Sequence, residues 1–298
     1  MTRLTITTLL STFFLFTLAV HAQEETAGIF PDKNLEKAVR KYVFEKRNNE
    51  EPLTVADVEN ISTIVAKKSE IASLAGLETC RSLALLDLEG NSISDLGPIK
   101  ELKNIQSLNV AGNKVSDLAP VAGLTALQYL HLAGNEVSDL APLSGLENLR
   151  SLYLSNNQVA DTKPIAELAK LWSLYLDGNK LTDVANLQKL TNLSSLDLRK
   201  NELADLSPLA EMTELRYLLL NENKIEDLGV LVEMAKKDAE GQKRFAPFWN
   251  VYLADNPLSG KTRGQIRDLQ KLGGRVHQKR AQFRVATDIP DYVRQALE

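Results

Sequence analysis

The chain has 298 residues, 44% hydrophobic and 25% charged, a composition that excludes a disordered, collagen-like or polytopic membrane protein. Its single Cys excludes an intrachain disulfide framework, and a formal charge of −4 argues against nucleic acid as a partner. Leu accounts for 51 residues, and that excess is the first thing to explain.

Residues 1–22 contain no Asp or Glu, one Arg (Arg3) and an apolar core from Leu9 to Val20. Val20-His21-Ala22 then places small residues at −3 and −1 of a cut before Gln23. This charge, core and cleavage pattern reads as a secretory signal peptide. The core is too short to span a bilayer, so a secreted or periplasmic product that does not span the membrane is expected.

Residues 23–62 read as an N-terminal cap. Asp32 precedes Leu35, Val39, Tyr42 and Val43 at helical spacing, and Thr54 with Asp57 three residues later starts a second short helix.

From residue 63 to 258 the leucines become periodic. Asn91, Asn113, Asn135, Asn157, Asn179, Asn201 and Asn223 are spaced by 22 residues without exception. An aliphatic residue lies three before each (Leu88, Val110, Leu132) and two after (Ile93, Val115, Val137), with Asp at +4 every time from Asp95 to Asp227. Pro follows at +7 in Pro98, Pro120, Pro142, Pro164 and Pro208. This matches the leucine-rich repeat pattern L-x-x-L-x-L-x-x-N-x-L. The L-x-L segment is expected to be a short parallel strand with Leu turned into the coil. The Asn should pair backbone groups of neighbouring coils that would otherwise be buried unpaired. The Asp should cap a short helical turn on the convex side, a structural role that makes a metal site unnecessary. A weaker first coil uses Ile64, Ser69 and Ile71, and a last one ends at Asn256 after an insertion, 229–249, whose early part reads as a helix ending at Gly241. About nine coils result. The expected fold class is an α/β leucine-rich repeat solenoid: a curved parallel β-sheet on the concave face, short 3-10 or helical turns on the convex face, and a helical N-terminal cap. Residues 259–298 form a C-terminal cap and basic tail, with a helix at Lys261–Leu272 and a last strand at Arg275–His277. From Gly229 onward 13 basic residues face 8 acidic ones, suited to solubilising helices or touching anionic envelope polymers.

The cap Ile29-Phe30-Pro31-Asp32-x-x-Leu35, the helix after Thr54 and the N-x-I-x-D-L-x-P-L coils together resemble the internalin family over roughly Ile29 to Leu228. The resemblance implies a secreted or surface-attached bacterial protein with a capped repeat array that binds a protein ligand. No wall-binding repeat or wall-sorting motif is read in the chain, so wall attachment is not expected.

Residues at −6, −4 and −2 from each Asn alternate with the buried Leu and should face the concave surface. The repeat leaves them free, yet five of the seven Tyr fall in the −6 and −4 columns: Tyr129, Tyr153, Tyr175, Tyr217 and Tyr252. His131 joins them, Trp172 and Trp249 stand at −7 beside Arg150 and Arg216, and Asp177, Asp197 and Arg199 are expected as a charged rim. Tyr, Trp and Arg are the residues enriched at interface hot spots. Tyr also suits strands for packing reasons alone. The candidate partner site is thus Tyr129, His131, Tyr153, Trp172, Tyr175, Asp177, Asp197, Arg199, Tyr217 and Tyr252.

No catalytic residue, cofactor or metal is expected. Cys80 falls in a column otherwise filled by Leu and Met212, and His131 and His277 lie far apart along the array. Gly260-Lys261-Thr262 lacks the earlier Gly of a phosphate loop, since Asp255 holds its place. The expectation is a monomeric, non-enzymatic binding protein for a protein ligand at the cell envelope or a host surface. A regulatory subunit of an intracellular phosphatase-like enzyme and a structural or glycan-binding envelope protein are the alternatives.

Overall fold

The computed structural model describes residues 28–279 apart from Gln242 and Phe245. The expected leader, residues 1–22, and the tail beyond Lys279 lie outside the described residues. The chain divides into two compact units, Met1–Tyr175 and Leu176–Glu298.

The first unit begins with α1 (Lys33–Arg40) and α2 (Val55–Val58). One carboxylate starts the first helix and ties it to the coil beneath. Asp32 Oδ1 accepts from the amides of Asn34 and Leu35, while Oδ2 accepts from those of Ala72 and Ser73. Those four donors hold its carboxyl below the usual range against the opposing effect of burial, which is the larger single influence. The α1 helix ends at Arg40 rather than running through Tyr42 and Val43. Beyond it Tyr42 is 38% exposed, and its hydroxyl accepts the amide of Val65 at 2.8 Å. Tyr42 therefore closes part of an open strand edge instead of filling core. The expected second helix forms where Asp57 Oδ2 accepts from both the amide and the hydroxyl of Thr54, each at 2.7 Å.

Six strands follow: β1 (Thr63–Val65), β2 (Leu85–Asp87), β3 (Ser107–Asn109), β4 (Tyr129–His131), β5 (Ser151–Tyr153) and β6 (Ser173–Tyr175). Each pairs with the next in parallel, with Ile64, Leu86, Leu108, Leu130, Leu152 and Leu174 in register. Those six central residues are all buried, so the three-residue strands turn one side chain inward and leave its two flanking neighbours on the opposite face.

The second unit contains β7 (Ser195–Asp197), β8 (Tyr217–Leu219), β9 (Asn250–Tyr252) and β10 (Arg275–His277), again parallel and in sequence order. The 229–249 insertion becomes α3 (Gly229–Glu240), and α4 (Thr262–Lys271) precedes the last strand, as the sequence implied.

The seven coils from Asn91 to Asn223 use the same two polar devices. In the first, a ladder Asn bonds three backbone groups: Asn135 Oδ1 accepts the Val115 amide at 2.9 Å, and its Nδ2 donates to the carbonyls of Val110 and Leu132. Asn91, Asn113 and Asn157 repeat this in the first unit, Asn201 and Asn223 in the second, and Asn179 donates to the Leu176 carbonyl at 3.0 Å. In the second device, each Asp accepts the amide two residues on, as Asp117 does from Ala119 and Asp205 from Ser207, both at 2.8 Å. That amide opens a 3-10 turn such as Ala119–Val121, with Pro inside it where no N–H is needed. The fold class is the α/β leucine-rich repeat.

Candidate partner-binding face

The first unit carries an aromatic ladder on the sheet face away from its core. Parallel pairing puts Tyr129 beside Ser151, His131 beside Tyr153, and Tyr153 beside Tyr175. Tyr153 and Tyr175 stack with ring centres 4.8 Å apart and planes 11° from parallel. His131 lies 4.7 Å from Tyr153, and Tyr129 5.4 Å from Tyr153. The Tyr129 hydroxyl and His131 Nδ1 are 3.3 Å apart. Ring-on-ring packing at the strand spacing holds these side chains in fixed rotamers, which lowers the entropy lost when a partner docks. Burial raises the Tyr129 phenol pKa and lowers that of the His131 imidazole, favouring its neutral form.

One end of the ladder is acidic and basic at once. Lys67 Nζ bonds Glu89 at 2.8 Å and Asp87 at 3.1 Å. The hydrogen bond to Glu89 is the largest influence raising the lysine pKa, and its counterpart lowers that of the glutamate. Lys67 and Glu89 occupy the −2 column, whose signal in the sequence is only its alternation with the buried Leu.

The second unit departs from the expected charged rim. Asp197 is fully buried, and Arg199 grips it by two nitrogens, Nε to Oδ1 at 2.9 Å and Nη2 to Oδ2 at 2.7 Å. Asp177 is 8% exposed and lies 4.0 Å from the same guanidinium. Burial and the neighbouring Asp177 charge push the Asp197 carboxyl up to about 7 against the pull of Arg199. These three residues form a packed ion cluster. A carboxylate on a strand flanked by other side chains loses its water, and a bidentate arginine takes the water's place.

Tyr175 and Tyr252 are also buried, at 1% and 3% exposure. Each has a ring face against a neighbour, Tyr175 on Tyr153 and Tyr252 on His277 at 4.3 Å. They act as supports within their ladders, where the sequence alone suggested exposed contacts. Tyr129, His131, Tyr153 and Tyr217 are partly buried, and Trp172 is 59% exposed. Trp249, which shares the −7 column with Trp172, is wholly buried. Cys80 is a core residue whose thiol burial pushes up to about 11.

Comparison with known proteins places this architecture. The family model described as Leucine Rich repeats (2 copies) matches residues 70–123, 125–168 and 170–211. A search of curated proteins found no match. Among solved structures, internalin C2 of Listeria monocytogenes is 33% identical, with a TM-score of 0.66, and the alignment covers 69% of this chain and 91% of that one. Internalin F of the same organism is 28% identical over 84% of this chain and 69% of its own, with a TM-score of 0.74. A Leptospira interrogans leucine-rich repeat protein is 25% identical over 67% of this chain and 56% of its own, with a TM-score of 0.58. Proteins built from these repeats bind protein partners and are generally non-enzymatic, and internalins are often surface or secreted proteins. Among the described residues no helix is long and apolar enough to cross a membrane. The repeats, their ladder and the extent of the match to internalin C2 together show that the chain belongs to the internalin-like leucine-rich repeat proteins.

Proposed function

We propose that this is an exported binding protein that recognises a protein partner through the aromatic face of its first unit, centred on Tyr129, His131 and Tyr153. The observation that carries the reading is the ladder itself. Its rings occupy positions the repeat leaves free, they pack on one another, and each keeps part of its surface open. Rigid aromatic side chains give large contact area at low entropic cost. Tyr175, on the next strand, stacks on Tyr153 and supports it. Export rests on the leader pattern of residues 1–22, and a product beginning at Gln23 in a mass spectrum of the exported chain is the expected result.

The test is a Tyr129→Ala, Tyr153→Ala double variant used beside the parent as bait in envelope and host-surface extracts. The expected outcome is an unchanged circular dichroism spectrum with loss of a protein that the parent retains. Equal retention by a folded double variant removes the face from consideration.

A further inference from the structure

A second surface on the first unit has chemistry different from the aromatic face. Gln106, Ala126, Gln128, Asn148 and Arg150 line an open pocket of about 300 Å³. Gln106, Gln128 and Arg150 occupy the −7 column of successive coils, just before the strands, and Ala126 and Asn148 the −9 column. The next residue in that −7 column is Trp172, whose amide donates to the Arg150 carbonyl at 2.8 Å. Its indole therefore stands one coil beyond Arg150, more than half exposed.

Asn148 is fixed from two sides. Its Nδ2 donates to the Thr125 carbonyl at 2.9 Å, and its Oδ1 accepts from Lys170 Nζ at 2.8 Å. That bond also brings a second positive charge to the pocket rim. The side chains of Gln106, Gln128 and Arg150, by contrast, make no hydrogen bond or ion pair among the described residues. Three planar polar groups, all exposed, thus line one open pocket with no protein partner among the described residues.

We propose that this pocket binds an acidic saccharide: Arg150 pairs its carboxylate, the Gln106 and Gln128 amides bond ring hydroxyls, and Trp172 stacks on an adjoining sugar. A carboxamide offers a donor and an acceptor side by side, which matches a sugar hydroxyl that both gives and takes a proton. A guanidinium presents two parallel donors to a carboxylate. The lining has one apolar side chain, Ala126, so a peptide would find no pocket in which to bury an apolar anchor. A cavity of this volume is at the small end of ligand sites, suited to a short oligosaccharide rather than a protein surface. The proposal does not depend on the aromatic-face reading, and the two are separable by variant.

The experiment is saturation-transfer NMR on the full chain with a tetrasaccharide alternating glucuronate and N-acetylglucosamine, and with neutral chitotetraose as the second probe. Tryptophan fluorescence runs in parallel, since Trp172 is exposed and Trp249 buried. Transfer to the acidic probe and a fluorescence change abolished by Trp172→Phe are expected. Arg150→Gln should weaken binding roughly ten- to a hundredfold, the worth of a charge-assisted bond pair. The Tyr129→Ala, Tyr153→Ala variant should bind the saccharide as the parent does. No transfer from the acidic probe at millimolar concentration, equal binding of the neutral one, or an unchanged Arg150→Gln affinity each overturns the proposal.

Discussion

The ladder asparagines and the turn aspartates recur equally often but contribute unequally to stability. Asn135→Ala strands the buried Val115 amide and removes one of two side-chain donors from each of the Val110 and Leu132 carbonyls, which keep Asn113 and Asn157. A loss of about 2–4 kcal/mol in urea unfolding is expected. Asp139 caps an exposed amide at 2.8 Å, and Asp139→Ala should cost only about 1 kcal/mol, because water replaces the lost acceptor. Thr162 is the opposite case. It stands in a column otherwise filled by Leu or Val, as at Leu118 and Val184, is 1% exposed, and its hydroxyl has no hydrogen-bond partner among the described residues. Thr162→Val keeps the shape and removes the unpaired oxygen, so unfolding in the same assay should become harder by about 1 kcal/mol. Spacing alone revealed the Asn and Asp roles. The left-handed backbone just before each ladder Asn was less visible, since Gly90, Gly112, Gly134 and Gly178 share that conformation with Asn156, Lys200, Glu222 and Asp255. An αL residue is free for Gly and strained for the others, and a mixed column hides the requirement.

Among the elements, the N-terminal cap has the clearest electrostatic signature. Asp57 receives Lys46 Nζ at 2.8 Å in addition to the two Thr54 bonds, and these hold its carboxyl down to about 2. A carboxylate with a depressed folded pKa stabilises above its ordinary value of 3.8, and that contribution is lost as pH falls toward about 2. The cap should thus loosen in acid between those values. Carbon-detected NMR titration of the Asp57 carboxyl should show a midpoint near 2 in the parent and a higher one in Lys46→Met, still below the ordinary value because both Thr54 bonds remain. An unshifted midpoint in that variant would deny the lysine its role. Helical periodicity located α1 but overextended it to Val43. Tyr42 matches the apolar spacing, yet its hydroxyl is claimed by the Val65 amide, a contact 23 residues away in sequence.

At the level of the molecule, each unit builds a thin core from one face of its parallel sheet and leaves the other face to variable residues. The 22-residue period determined the fold class, the identity of the core columns, the Asn ladder and the capped turns, because each of these follows from a local spacing repeated in phase. The period also identified which columns are free of core duty, and hence where the aromatic residues collect. What only the tertiary structure decided is what those free residues do. Asp177, Asp197 and Arg199 became a buried ion cluster, Tyr175 and Tyr252 became supports, and Trp172 and Trp249, identical in position within the repeat, ended exposed and buried. Alternation along a strand says which face a side chain takes. Whether it meets water depends on its neighbours across the strands, which lie about 22 residues away in the chain but one strand spacing away in space.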